Sequence, residues 1–146
     1  MKQKIFVYPF VQFSFDTYRP FIPICILNPV ENIGVDYMAL LDTGADDCVF
    51  PKHVVLSTKH NLKGPSVISE ITQGVGEFHV STWKHSFRII LYAPDKRTKI
   101  WVSRINLINC LDHDTTPPLL GTKSFLQNFK ITFDYLYKTI TIEFPA

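Results

Sequence analysis

The sequence predicts a single mainly-β domain with one short helix near its C-terminus. Three observations carry that prediction. Aromatic residues make up 14% of the 146-residue chain, twelve of them Phe, and sit in short segments rich in β-branched neighbours. Ten Pro, three of them beside Asn, Gly or Asp, cut the chain at intervals. Helical spacing of apolar residues is convincing at one place only.

Taken in order, the first strand is expected at 4–10, where Ile, Phe, Val, Tyr and Phe follow Lys4. Strands at 21–27 and 35–41 follow, separated by turn chemistry at Asn28-Pro29 and Glu31-Asn32. After Lys63-Gly64-Pro65 come 66–71, 77–83 and 87–92, each alternating or continuously apolar. Ala93-Pro94-Asp95 ends that series, and 99–107 reads as the next strand. The polar, Pro-flanked stretch 112–118 is a loop. In 121–129, Phe125, Leu126 and Phe129 stand at helical spacing behind Thr122, the candidate cap. Strands at 131–133 and 139–144 complete the set. No internal repeat interrupts this order, so 1–146 is expected to be one domain.

Composition also sets aside several function classes. Hydrophobic residues at 46% against 19% charged exclude a disordered chain. A net charge of +2 with no basic cluster argues against nucleic acid. No apolar run is long enough to span a bilayer, so no membrane role is expected. The start, Met1-Lys-Gln-Lys-Ile-Phe-Val-Tyr-Pro9, reads as a first strand and not as a signal peptide. Cys25, Cys48 and Cys110 are odd in number, widely spaced and form no CxxC pair. Reduced core cysteines in a cytoplasmic protein are the expectation.

Three features carry chemistry. The first is Ala39-Leu40-Leu41-Asp42-Thr43-Gly44-Ala45-Asp46-Asp47-Cys48-Val49-Phe50, an acid at the end of a buried strand with a glycine two residues on. The second is Gly74-Val75-Gly76, two glycines at a hairpin tip that can bend over a cleft and offer backbone groups to an extended ligand. The third is Pro118-Leu119-Leu120-Gly121, leading straight into the helical segment. One such acid does little alone; two facing each other can share a proton and activate water.

These features, in this order, resemble the retropepsin-like aspartic proteases, the family of retroviral proteases and their cellular and bacterial relatives. The resemblance covers roughly 20–144 and implies a closed β-barrel with one short C-terminal helix, active as a two-fold dimer. Residues 1–19 would be an N-terminal strand extension and 94–117 an insertion. A chain with one such motif needs a second copy, so Asp42 of each subunit would meet at the axis. Carboxylates roughly 3 Å apart cannot both ionise and hold one proton between them. The ionised Asp42 would take a proton from water while its protonated twin donates to the scissile carbonyl. No cofactor and no metal is implied.

By the same resemblance, Thr43 would hydrogen-bond across the axis and Gly44 would let backbone amides approach the carboxylates. Ala45 stands where many two-lobed relatives carry a hydroxyl that stabilises the charged carboxylate. Its absence implies an activity optimum at weakly acidic pH. Asp46, Asp47, Gly74, Val75 and Gly76 would contact an extended peptide bound as an added strand. Leu119, Leu120 and Gly121 would support the site, and an apolar wall near Leu41, Val49 and Phe50 implies hydrophobic side chains beside the cleaved bond. One departure stands out. Retroviral enzymes have Gly-Arg where this chain has Gly121-Thr122, that Arg pairing with an acid just after the motif. Lys123 is the nearest cation, without the planar fork of Arg.

Blander readings apply elsewhere. Asp112-His113-Asp114 superficially suggests a metal site but reads as a solvated loop. His53, His60, His79 and His85 have no spacing that marks zinc or a nucleophile's partner. Cys48 reads as a small packed residue. A retropepsin-like fold kept for dimerisation or peptide binding, without catalysis, is the competing function.

Overall fold

The computed structural model describes residues 2–73 and 79–146. Among these, the chain forms thirteen strands, one short α-helix and one 3-10 turn. In chain order they are β1 (Gln3–Pro9), β2 (Val11–Ser14), β3 (Thr17–Arg19), β4 (Phe21–Asn28), β5 (Ile33–Leu41) and β6 (Val49–Phe50). Helix α1 (Lys52–Ser57) follows, then β7 (Ser69–Gln73), β8 (His79–Tyr92), β9 (Lys99–Val102), β10 (Asn106–Cys110) and β11 (Leu119–Leu120). The 3-10 turn Leu126–Asn128 leads into β12 (Lys130–Asp134) and β13 (Thr139–Pro145).

The main sheet has eight strands in the order β10-β6-β11-β5-β4-β8-β7, with β9 also on β8. Because β10 pairs with β8 as well as with β6, six of these strands close on themselves into a barrel. Closure removes the free edges of those strands. Alternation fills the interior: Ile22, Ile24 and Ile26 of β4 meet Phe87, Ile89 and Leu91 of β8, all fully buried. β4 is covered on its other face too, where Cys25 joins Ile90 and Tyr92 in a smaller cluster. A three-stranded sheet, β1-β13-β12, packs Tyr8, Ile140, Ile142 and Phe144 against the same core. β2 and β3 form a separate hairpin.

Several elements differ from the sequence expectation. The strands expected at 77–83 and 87–92 are one continuous β8. Its polar middle looks like a turn but is satisfied in place: the Lys84 N–H donates to the Ile68 carbonyl, and His85 Nε2 bonds the Leu62 carbonyl at 3.0 Å. The strand expected at 99–107 breaks at Ser103, whose hydroxyl oxygen accepts the Ile89 N–H at 2.8 Å and displaces a ladder bond. Residues 94–117 thus contribute β9 and β10 to the main sheet.

Helix α1 was not expected. It is one and a half turns long and has no capping side chain of its own. Asp114 caps it from across the fold, accepting the His53 N–H at 2.8 Å and bonding His53 Nδ1 at 2.9 Å. The loop 112–114 therefore serves the helix N-terminus, and no cluster of three metal-ligating side chains occurs among the described residues. The helical segment expected at 121–129 is a run of turns ending in the 3-10 turn. Ser124 at φ +71° interrupts any regular helix there.

Candidate active site

Asp42 follows the last residue of β5, and its position is fixed by backbone bonds on both sides. The Leu41 N–H donates to the Pro20 carbonyl, and the Asp42 N–H donates to the Leu120 carbonyl at 3.0 Å. β11 lies parallel to β5 and antiparallel to β6, so it is wedged between the strands that enter and leave the Asp42 loop. Within the loop, Asp42 Oδ1 accepts the Gly44 N–H at 3.0 Å and the Asp42 carbonyl accepts the Ala45 N–H at 3.2 Å. The carboxylate is therefore oriented by backbone, and Asp42 remains half-buried while Thr43 and Gly44 are exposed.

Gly121 is needed for close approach. A Cβ at this position would collide with the Asp47 and Ala45 carbonyls. The same contact ties the two loops together: the Thr122 N–H donates to the Ala45 carbonyl at 3.0 Å and the Lys123 N–H to the Asp46 carbonyl at 2.9 Å. Asp47 Oδ1 accepts the Cys48 N–H at 2.7 Å and the Ser124 hydroxyl at 3.3 Å. Ser124 thus holds an acid beside the motif, although no Arg follows Gly121. Among the described residues no ion pair joins the Lys123 ammonium to Asp46 or Asp47; Asp46 is exposed.

The apolar wall differs from the expectation by one register position. Leu41 (4% exposed) and Phe50 (0%) point into the barrel core. The face shared with Asp42 carries Leu40, two residues before it. Leu40 stands opposite Leu119, and Leu119 opposite Val49, all three half-buried. The row continues to Asn109 on β10 and Lys84 on β8. Asn109 is buried, its Oδ1 has no protein partner, and Lys84 pairs with Glu70 at 3.3 Å. The wall beside Asp42 is therefore apolar for three strands and polar beyond. Leu40 and Asn109 escaped sequence reasoning; strict alternation back from Asp42 singles out Leu40, whereas Asn109 needs the β6–β10 register.

Cys48 is fully buried under this loop, its Sγ 3.5 Å from the Lys123 carbonyl, and burial pushes its thiol up to about 12. It is a packed, inert residue. Gly74, Val75 and Gly76 lie outside the described residues. Two surface depressions of about 400 and 390 Å³ flank the 3-10 turn, and neither includes Asp42.

The closed barrel, the acid loop and the wedged β11 together are the retropepsin-like fold. The chain is similar to a retropepsin-like aspartic protease from Rickettsia conorii, with 14% identity over 99% of this chain and 94% of that one and a TM-score of 0.63. It also aligns with EIAV protease in complex with the inhibitor HBY-793, at 21% identity over 76% of this chain and 88% of that one, with a TM-score of 0.44. No family model matches the chain, and no curated protein matches it in sequence. No helix among the described residues is long and apolar enough to cross a membrane.

Proposed function

We propose that the chain is a homodimeric aspartic endopeptidase in which Asp42 and its twin activate water. One observation carries this reading. Asp42 is a half-exposed carboxylate held by backbone bonds to Gly44 and Leu120, on a face it shares with a half-buried apolar wall. A structural turn acid needs neither the exposure nor the wall. With a second Asp42 close by, the pair holds one proton. The ionised member then serves as base toward water, and the protonated one donates to the carbonyl of the peptide bond. Thr43, exposed beside it, would contact its twin across the axis. Gly74, Val75 and Gly76 would cover an extended peptide from above, with Asp46 and Asp47 at its ends.

Leu40, Leu119 and Val49 favour apolar substrate side chains beside the cleaved bond. The test compares wild type with Asp42→Asn on an unbiased peptide library at several pH values, with sedimentation of both. Cleavage by wild type, lost in Asp42→Asn by about a hundredfold or more, is the expected result. Cleavage that survives the substitution would overturn the mechanism. A dimer in which neither protein cleaves would favour a peptide-binding module.

A further inference from the structure

The described residues include five exposed large aromatic side chains, and all five lie on two turns. Phe13, Phe15 and Tyr18 belong to the β2–β3 hairpin, with Phe15 at 94% exposure; Tyr135 and Tyr137 flank Leu136, itself 78% exposed, in the β12–β13 turn. The two turns adjoin. Lys138 Nζ stands 5.5 Å over the Tyr18 ring, Phe10 packs edge-on against Tyr135 at 5.3 Å, and the Phe10 N–H donates to the Lys138 carbonyl. They form one mostly aromatic surface, with Arg19 and Lys138 lying over the Phe13 and Tyr18 rings.

That surface lies at the Asp42 end of the barrel. β3 runs through Pro20 into β4, the Pro20 carbonyl accepts the Leu41 N–H, and Phe21 pairs with Leu40. Phe13 stacks on Phe21 at 6.4 Å, which holds the hairpin against that end. We infer that the β2–β3 hairpin and the β12–β13 turn form a contact surface for a second copy of this chain. The inference rests on the proposed dyad, because an Asp42 pair brings the same end of two molecules together. A two-fold contact places like patches against each other, which suits a patch that is mostly aromatic. The charges beside it balance, Arg19 and Lys138 against Asp16 and Asp134, so no anionic surface such as a lipid bilayer is selected. The patch belongs partly to the N-terminal extension, and so adds association surface beyond the barrel.

The test uses the full chain carrying Phe15→Ser or Leu136→Ser, with Val30→Ser as control. Val30 is 80% exposed in the β4–β5 turn, at the far end of those strands from Asp42. Sedimentation equilibrium is expected to show dimer dissociation constants raised about tenfold or more in the first two, as for aromatic and apolar anchors of an interface, and unchanged in Val30→Ser. Melting of the dilute monomers is expected to match wild type, because these side chains are already exposed. A wild-type dimer that neither patch variant weakens would overturn the surface and leave the dyad standing. A dimer weakened by both variants in a protein that cleaves nothing would support the surface and overturn the protease. A wild type that stays monomeric at every concentration, or whose patch binds neutral vesicles instead, would overturn the surface.

Discussion

The backbone N–H of Asp42 donates to the carbonyl of Leu120, so the acid is placed by a strand from the far end of the chain. Gly121 comes next, under the Asp47 and Ala45 carbonyls. Gly121→Ala is therefore expected to destabilise the fold by about 1–3 kcal/mol through overpacking. The urea midpoint reads this directly, and activity should fall with it as the Asp42 loop is pushed aside. An unchanged midpoint would show that the two loops can part freely.

Ala45 donates only its backbone N–H near Asp42. A hydroxyl at this position would stabilise the ionised carboxylate, so Ala45→Ser is expected to move the acid limb of the pH–rate profile to lower pH. Profiles of kcat/KM for both proteins, measured side by side, decide the matter. Coincident profiles would mean that residue 45 does not set the optimum.

Asp114 caps α1, and Asp114→Ala is expected to cost about 1 kcal/mol, with Asp114→Asn retaining most of the cap. The bonds from the His53 N–H and ring hold the Asp114 carboxyl below the usual carboxylate range. Its contribution is therefore complete above about pH 3.9, the ordinary Asp value, and is lost as pH falls through the lowered folded value. Denaturation midpoints of wild type and Asp114→Ala should converge in strong acid.

His60 and His85 stand with rings 4.8 Å apart, each bonded to one backbone carbonyl. Burial pushes both imidazoles below their ordinary value. The unfolded chain then binds more protons near pH 6, so the stability due to their neutral forms is present above about pH 6.5 and is lost as pH falls through the folded values. Urea midpoints should decline on mild acidification, and His60→Gln should flatten that decline. A wild-type midpoint constant from pH 7.5 to pH 5, inside the window set by the ordinary histidine value of about 6.5, would refute this.

Much of the barrel was legible because alternation is a property of the chain itself. Strands 21–27, 35–41 and 139–144 fall within or on β4, β5 and β13 to a residue or two. Asp42 stood out for a similar reason: an acid ending a buried strand and followed by glycine conflicts with local burial unless something needs it. The misses have a common cause. α1 is capped by Asp114, 61 residues from His53, and the middle of β8 is polar because Leu62 and Ile68 supply its partners. Local pattern cannot register a partner that only folding brings near.

The sequence by itself determined most of the long strands and where the acid sits, and its one such motif is why the proposed function requires a second copy. Only the tertiary structure decided which neighbours the Leu40 side of β5 meets beside Asp42. The side-chain period of a strand is two, so a single position separates core Leu41 from Leu40 beside Asp42. β11, wedged between β5 and β6, supplies the first of those neighbours.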